Sequence, residues 1–308
     1  MTEQLQQQQL ADDEIDLREL VKAIWKGKWI IIATTFVFSV TAVFYALSLP
    51  NVYKSEVTLS PVSDDAGLKI PGQLGGLAAL AGVNLGGLGG KDKTSLALEI
   101  MRSRQFIGRF IEENDLYLPV IAAEGWSRSE DKLIFDPKIY NELNKEWVRE
   151  VSMPFQAKPS TLETYEKLKK LLSINQDTTS GIVRISIEHY SPNLAKLWVD
   201  KFVEAINEDM RSRDLAEAQK SIAYLNSQIA ETNIADVRTM LFSLIEEQTK
   251  TVMLANVRDE YILKTVDPAV VAEKKIKPKR AIIVILGMFI GFFTSVFIVF
   301  FRYFNRKI

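Results

Sequence analysis

The sequence predicts an α+β membrane protein in which two transmembrane helices flank a periplasmic α/β base domain with a long protruding helix. Three observations lead to this fold class. Two uncharged apolar runs, residues 29–49 and 281–301, each have 21 residues, the length that suits a helix crossing about 30 Å of hydrocarbon. Strand-like and helix-like segments follow one another between the two runs. After Pro192, a helical pattern continues without glycine or proline as far as Asp267.

Residues 1–28 are predicted to be a cytoplasmic tail followed by an amphipathic helix. The basic residues just before the first apolar run are Arg18, Lys22, Lys26 and Lys28. By the positive-inside rule these charges keep this part of the chain in the cytoplasm. The run is expected to be an uncleaved anchor, because it begins only at residue 29 and exceeds the apolar core of a signal peptide.

The second apolar run is expected to return residues 302–308 to the cytoplasm. Basic residues before this run favour the opposite orientation locally, but the first helix usually decides the topology. Residues 50–280 are therefore predicted to form one periplasmic domain between the two spans.

The base of that domain is predicted to comprise residues 50–191 and 257–270. Period-two alternation of apolar residues indicates strands, and apolar residues at helical spacing indicate helices. The predicted strands are residues 52–62, 181–190 and 259–268, and the predicted helices are residues 94–114 and 160–174. Residues 117–157 contain three prolines, two tryptophans and one glycine and are predicted to be mostly loop with short helix.

Residues 192–256 are predicted to be a helical projection. Ser191 suits the N-cap and Pro192 the first helical position. An apolar stripe follows at helical spacing: Val199, Phe202, Ile206, Met210, Ile222, Leu225 and Ile229. A turn is expected at Thr232 and Asn233, followed by a returning helix. A helix this long needs neighbours to bury its stripe, so we expect side-by-side packing in an oligomer; a helical hairpin folded on itself is the alternative.

Composition argues against several classes of function. The 308-residue chain has 38 basic and 39 acidic residues, so it lacks the basic surface expected of a nucleic acid partner. It contains no cysteine and one histidine, which excludes disulfides, cysteine nucleophiles and His-rich metal sites. The single histidine, His189, is predicted to be structural. We expect a protein that is not an enzyme and has no catalytic, cofactor-binding or metal-binding residues.

Four separated stretches, in this order, resemble the Wzz polysaccharide co-polymerases. They read DEIDLRELVKAIWKGKWII, ALEIMRSRQFIGRFIEENDL, YSPNLAKLWVDKFVEAINEDMR and EYILKTVDPAVVAEKKIKPKRAIIVILGMFIGF. The resemblance implies an inner-membrane protein that determines the chain length of lipopolysaccharide O-antigen. It further implies assembly into a ring or bell, control of the polymerase Wzy, and a lipid-linked polysaccharide as a further partner. One departure is that Lys275 stands where the family often has the first proline of a P-x-x-P stretch, whereas Pro278 matches the second.

Two alternative functions are kept beside this one. The first is capsule or exopolysaccharide export with a separate kinase, because the residues after the second span are too few for a fused kinase domain. The second is a periplasmic ligand sensor with two anchors, which needs a cytoplasmic output domain that neither end of the chain is expected to provide.

Two groups of candidate site residues belong to the second span and its approach. Small residues at every fourth position permit close packing with another helix: Gly287, Gly291 and Ser295. A basic segment with one proline precedes and begins the span, and we expect it to contact membrane lipids: Lys274, Lys275, Lys277, Pro278, Lys279 and Arg280.

The stretch 71–91 contains eight glycines and five leucines and carries no charge before its last residue. It is not a Walker A loop, because Leu85 stands where a glycine is needed and Asp92 where Ser or Thr is needed. Its glycines also argue against a third membrane helix. Two interpretations stay open, a disordered linker and a mobile apolar flap that contacts a partner through its leucines, which are Leu74, Leu77, Leu80, Leu85 and Leu88.

Overall fold

The structure is a computed structural model that describes residue 22, residues 24–62 and residues 91–305, with the backbone alone at residues 91 and 92. The chain divides into two compact units, residues 1–51 with 276–308 and residues 52–275. The elements in chain order are α1 (Lys28–Ser48), β1 (Tyr53–Pro61), α2 (Lys91–Arg102), α3 (Arg104–Glu113), α4 (Tyr117–Ile121), β2 (Ala123–Ser127), β3 (Lys132–Phe135), β4 (Tyr140–Asn141), β5 (Glu146–Trp147), α5 (Thr161–Leu171), β6 (Leu172–Gln176), β7 (Val183–His189), α6 (Pro192–Glu231), α7 (Ala235–Val257), β8 (Leu263–Asp267) and α8 (Arg280–Asn305).

The first unit contains α1 and α8, which pack against each other. Both helices are long and apolar enough to cross a membrane by length and composition, with mean hydropathies of 2.2 and 2.8 over their most apolar stretches. Only 11% and 17% of those stretches are buried, whereas the core helix of a soluble protein is mostly buried. The helices coincide closely with the two spans predicted from the sequence.

The second unit is built on a four-stranded antiparallel sheet with the strand order β6-β7-β1-β8. In β1, Val57 pairs with Ile185 and Leu59 pairs with Val183, and all four side chains are buried. Because side chains alternate between the two faces of a strand, these pairs give the sheet one apolar face. The period-two pattern predicted for β1 and the strand predicted over residues 181–190 are confirmed.

The sheet is covered by the first half of α6 and by α5, and α3 packs against α6. The rings of Phe106 and Phe110 pack edge-to-face on Phe202, at centroid distances of 5.3 and 5.2 Å. Such aromatic pairs add about 0.5–1.5 kcal/mol to the burial of their surface. The core of the second unit therefore lies between the sheet and these helices.

Helix α6 has 40 residues and is about 60 Å long at 1.5 Å per residue. Ser191 caps it by accepting a hydrogen bond from the Leu194 amide at 3.3 Å, and Pro192 occupies its first turn, as predicted. Met210 is still fully buried, but the later members of the apolar stripe are only half-buried, because the helix has by then passed the end of the sheet.

Helix α7 returns along α6 after a break at residues 232–234. The structure thus contains the helical hairpin that was the alternative interpretation of this region. Leu241 and Ala255 are the side chains that α7 buries, and much of its remaining surface is exposed. Packing in an oligomer stays a prediction.

Three segments differ from the sequence-based expectation. The helix predicted over 94–114 is two helices, because Ser103 adopts an extended backbone and accepts a hydrogen bond from the Phe106 amide as an N-cap. Residues 172–174, predicted to end a helix, begin strand β6, where pairing with β7 outweighs local propensity. The region predicted to be mostly loop contains two small antiparallel ribbons, β2 with β3 and β4 with β5, and these strands are too short to show a clear period.

Candidate functional surfaces

Small residues of α8 lie where it approaches α1 most closely. A Cβ atom added to Gly287 would come within 2.5 Å of Ala42 Cβ, and one added to Gly291 within 2.7 Å of Phe38 Cβ. Ser295 is fully buried and donates a hydrogen bond from its hydroxyl to the Phe292 carbonyl at 2.6 Å. The two glycines therefore allow a backbone approach that side chains would prevent.

The two ends of this helix pair are closed by different contacts. At one end, a Cβ added to Gly27 would lie 2.5 Å from both methyl carbons of Val299. At the other end, Arg280 donates hydrogen bonds to the Ala46 carbonyl at 3.0 Å and to Asn51 Oδ1 at 3.2 Å. The last carbonyls of a helix have no partner within it, and a cation there is favourable. Arg280 thus caps the C-terminal end of α1.

The basic segment ahead of α8 is divided between the two units after Lys275. Its four lysines, Lys274, Lys275, Lys277 and Lys279, are exposed, whereas Pro278 and Arg280 are half-buried. Of these residues, Arg280 makes the contacts with α1 that close the helix pair.

The leucines of the predicted flap, Leu74, Leu77, Leu80, Leu85 and Leu88, lie outside the described residues. The residues that flank this stretch, Val62 and Lys93, are described, and they lie beside the same small cavity. The Val62 amide donates a hydrogen bond to the Ile262 carbonyl at 3.0 Å, and the Lys93 ammonium pairs with Asp214 at 2.7 Å. A small cavity of about 30 Å³ lies there, lined by Val62, Lys93, Thr251, Leu254, Arg258, Tyr261 and Ile262.

The base of the helical hairpin is held by Asn207, a buried amide of α6. Its Oδ1 accepts hydrogen bonds from the amides of Ile262 at 2.8 Å and Leu263 at 3.0 Å. Its Nδ2 donates to the carbonyls of Leu263 at 3.1 Å and Val203 at 3.2 Å. All four hydrogen-bonding positions of the amide are thereby used, and the start of β8 is fixed on α6. Sequence reasoning missed Asn207, although an amide one residue after Ile206 of the apolar stripe was a usable signal.

Arg211, one turn further along α6, caps the end of α7. Its guanidinium donates to the carbonyls of Arg258 at 2.6 Å and Asp259 at 2.7 Å. These carbonyls follow the last helical residue, where a cation also opposes the helix dipole favourably. Asn207 and Arg211 together fix both the strand and the helix that return to the base.

Asp209 ties α6 to α3 through two arginines. Arg213 donates from Nε to Asp209 Oδ2 at 2.6 Å, and Arg109 on α3 donates to the other carboxylate oxygen. Burial raises the pKa of the Asp209 carboxyl, but the hydrogen bonds from Arg213 and Arg109 outweigh it, so the pKa lies below its usual value. The carboxylate side chain, only 4% exposed, is therefore ionised and paired.

His189 is buried at the start of α6. Its Nε2 donates to the Pro119 carbonyl at 3.1 Å, its Nδ1 accepts from the Ser191 amide at 3.2 Å, and its ring packs on Trp198 at 4.6 Å. Burial lowers the pKa of the imidazole, although both hydrogen bonds oppose this effect. Both ring nitrogens are hydrogen-bonded and the ring is packed, so His189 has a structural role.

Helix α7 exposes apolar side chains on two of its sides. Met240 and Leu244, 56% and 40% exposed, lie on the side that continues towards the cavity beside Val62. The other side carries Phe242, Met253 and Val257, which are 54%, 62% and 78% exposed. Large apolar side chains aligned along a helix and left in water are typical of an interaction surface.

Within residues 22, 24–62 and 91–305, no three His, Asp or Glu side chains lie close enough to hold a metal ion. A cleft of about 730 Å³ beside α6 is lined by carboxylates such as Glu204 and Asp259, together with Lys201 and Arg211.

Two family models match the chain. Residues 13–114 match the Wzz family, described as chain length determinant protein. Residues 233–304 match the GNVR family, described as "G-rich domain on putative tyrosine kinase".

Two solved structures are similar to the chain. A full-length bacterial polysaccharide co-polymerase is 14% identical, with 96% of this chain and 99% of that chain covered and a TM-score of 0.40. A fragment of WzzB, the polysaccharide co-polymerase from Salmonella Typhimurium, is 13% identical, with 74% of this chain and 100% of that chain covered and a TM-score of 0.30.

Proposed function

We propose, because the chain belongs to the Wzz chain length determinant family, that it sets the length of lipopolysaccharide O-antigen as a polysaccharide co-polymerase. The observation that carries this proposal is the match of residues 13–114 to the chain length determinant model. That stretch includes α1, β1, α2 and α3, so it joins one apolar helix to the centre of the sheet and to helices that share its core. The protein regulates the polymerase Wzy and does not itself transfer sugars.

In this proposal α1 and α8 cross the bacterial inner membrane as a pair. The exposed apolar surface of both helices supports it, because lipid can cover side chains that water would not. The residues before α1 and after α8 lie in the cytoplasm, and residues 52–275 lie in the periplasm. The four exposed lysines ahead of α8 contact lipid phosphates at the membrane surface.

The protein acts in this proposal as a homo-oligomeric scaffold, a ring or bell beside the growing lipid-linked polysaccharide. Support comes from the side of α7 that exposes Phe242, Met253 and Val257. A neighbouring copy would remove these side chains from water, at roughly 25 cal/mol for each Å² buried. The mechanism is then geometric: the assembly holds polymerase and polysaccharide together for a limited number of additions.

A second candidate function is co-polymerase in capsule or exopolysaccharide export, working with a separate kinase. The match of residues 233–304 to a domain described on tyrosine kinases favours it. Both candidates use the same scaffold, and they differ in the polysaccharide and in the enzyme partner.

Deletion of the gene, followed by gel analysis of lipopolysaccharide, separates the two candidates. We expect the O-antigen ladder to lose its modal length and to regain it when the gene is restored. An unchanged ladder with altered capsule or exopolysaccharide size would instead support the second candidate. No change in any surface polysaccharide would contradict both.

Mass measurement of the detergent-solubilised chain tests the scaffold. We expect an oligomer that is weakened by Met253→Glu combined with Val257→Glu. Leu143→Glu is the matched control, because Leu143 is 94% exposed in the turn between β4 and β5, away from α7. A strict monomer before mutation would contradict the scaffold.

A further inference from the structure

Strand β8 lies at one edge of the sheet, in the order β6-β7-β1-β8. Just before the strand begins, the Val62 amide donates a hydrogen bond to the Ile262 carbonyl at 3.0 Å, so Ile262 directs its carbonyl towards the β1 side. Because backbone groups alternate between the two sides of a paired strand, Leu263 and Thr265 direct theirs away from β1. Backbone groups on a sheet edge are the places where a strand of another chain can add.

Two side chains occupy outward backbone groups of β8. Asn207 binds both groups of Leu263, because it accepts from the amide at 3.0 Å and donates to the carbonyl at 3.1 Å. The Glu260 carboxylate accepts a hydrogen bond from the Thr265 amide at 2.8 Å. Asn207 is buried, whereas Glu260 is half-buried in the connection between α7 and β8. The edge is therefore closed by one side chain held in the core and one that water reaches.

The opposite edge of the sheet, β6, is also occupied by contacts from its own chain. The Leu172 amide donates to the Leu168 carbonyl at the end of α5. Arg102 of α2 donates to the Ile174 carbonyl at 3.2 Å. Both edges of the sheet thus use backbone groups in contacts other than a further strand.

We propose that Glu260 prevents a strand of a second copy of this chain from adding to β8. Thr265 is the middle residue of the five in the strand, so an added strand needs its amide as a donor. To reach that amide, the strand must first displace a carboxylate, which is a stronger acceptor than a neutral carbonyl. The copies can then associate through their helices while their sheets stay separate.

The side chain next to Thr265 makes this protection necessary. Val266 is 60% exposed, so an unprotected edge would offer a free donor beside an apolar side chain, a combination that promotes pairing between chains. In a scaffold of identical chains, a second copy is the strand source with the highest local concentration. The choice of a second copy as the partner rests on the scaffold of the proposed function.

Glu260→Ala in the full-length, detergent-solubilised chain tests this proposal. Glu260→Gln is the matched control, because it removes the charge and keeps an oxygen that can accept from the Thr265 amide. Glu204→Ala is a second control, which removes the same charge from an exposed side chain of α6. Mass measurement at a series of concentrations gives the size of the assemblies, and hydrogen exchange reports on the Thr265 amide within them.

We expect Glu260→Ala to raise the fraction of assemblies larger than those of the unmodified chain several-fold, and increasingly with concentration. Both controls should match the unmodified chain. In the larger assemblies the Thr265 amide should be protected from exchange, because a carbonyl of the added strand replaces the lost carboxylate. Should Glu260→Ala fail to fold, Glu260→Asp, whose carboxylate is one methylene shorter, takes its place with the same expectation.

Three results would overturn the proposal. No increase in a folded Glu260→Ala would make Glu260 a local contact of its turn, and an equal increase in Glu260→Gln would assign the effect to charge. Larger assemblies in which the Thr265 amide exchanges rapidly would place the new contact away from β8. An unmodified chain that is a monomer contradicts the scaffold of the proposed function, whereas the comparison of Glu260→Ala with its controls still decides the role of Glu260.

Discussion

Arg280 at the start of α8 donates a hydrogen bond to the Ala46 carbonyl in the last turn of α1, with 3.0 Å between Nε and the oxygen. A second hydrogen bond from the same guanidinium reaches Asn51 just beyond that helix. One apolar helix therefore begins by capping the end of the other. Because the capped carbonyl has no partner within its own helix, this arginine stabilises the pair and not only its own helix.

Replacing Arg280 should loosen the helix pair. We expect Arg280→Ala to lower the free energy of unfolding by about 1–2 kcal/mol, the range for a hydrogen bond that involves a charged group and is partly open to water. Arg280→Lys should recover part of this loss, because it keeps the charge without the planar guanidinium. Thermal unfolding of the detergent-solubilised chain measures the effect, with Lys279→Ala as the exposed neighbouring control. Equal melting temperatures for Arg280→Ala and the control would contradict the capping role.

Gly291 should tolerate no larger side chain. A Cβ there lies 2.7 Å from Phe38 Cβ and 3.2 Å from Thr35 Cα, so Gly291→Leu forces the helices apart, at a cost of about 1–3 kcal/mol for overpacking. Thr294→Leu, on an exposed part of α8, is the matched control and should be close to neutral. The same melting measurement compares them. If Gly291→Leu and Thr294→Leu have the same melting temperature, the close approach of the two helices is not what stabilises the pair.

Asn207 should be needed for the attachment of the hairpin to the base. Asn207→Leu leaves the amides of Ile262 and Leu263 buried without their acceptor, and each unsatisfied group costs about 1–3 kcal/mol. Asn256→Leu is the control, because that exposed amide bonds only to the Val252 carbonyl of its own helix. Hydrogen exchange at Ile262 and Leu263 gives the specific result, since their protection should fall in Asn207→Leu and persist in the control. Unchanged protection would show that another contact holds β8.

The elements predicted correctly from the sequence are those marked by a long run of apolar residues or by a clear helix cap. The two apolar helices and the N-cap of α6 followed from 21-residue runs and from Ser191 with Pro192. Strand β6 could not be predicted, because its first three residues, 172–174, continue a helical pattern and become part of a strand only through pairing with β7. Arg280 was assigned from the sequence to a basic segment at the membrane surface. Its capping of Ala46 depends on a contact between residues 234 positions apart, which local patterns do not contain.

His189 should make the stability of the second unit depend on pH. Burial holds the pKa of the imidazole below its usual value in the folded chain, whereas the unfolded chain titrates near about 6.5. At a pH between these two values the unfolded state binds more protons than the folded state, so stability falls as the pH falls. We expect full stability above pH of about 6.5 and a loss approaching 1.4 kcal/mol per pH unit below it.

This slope can be assigned to one residue, because the chain has a single histidine. Asp209 titrates well below this window, since its pKa is lowered. In His189→Gln the slope just below pH of about 6.5 should disappear even if the variant is less stable throughout. Chemical unfolding of both chains at a series of pH values measures it. A slope that persists in His189→Gln would assign the pH dependence to the carboxylates, and the buried histidine would then be without thermodynamic effect.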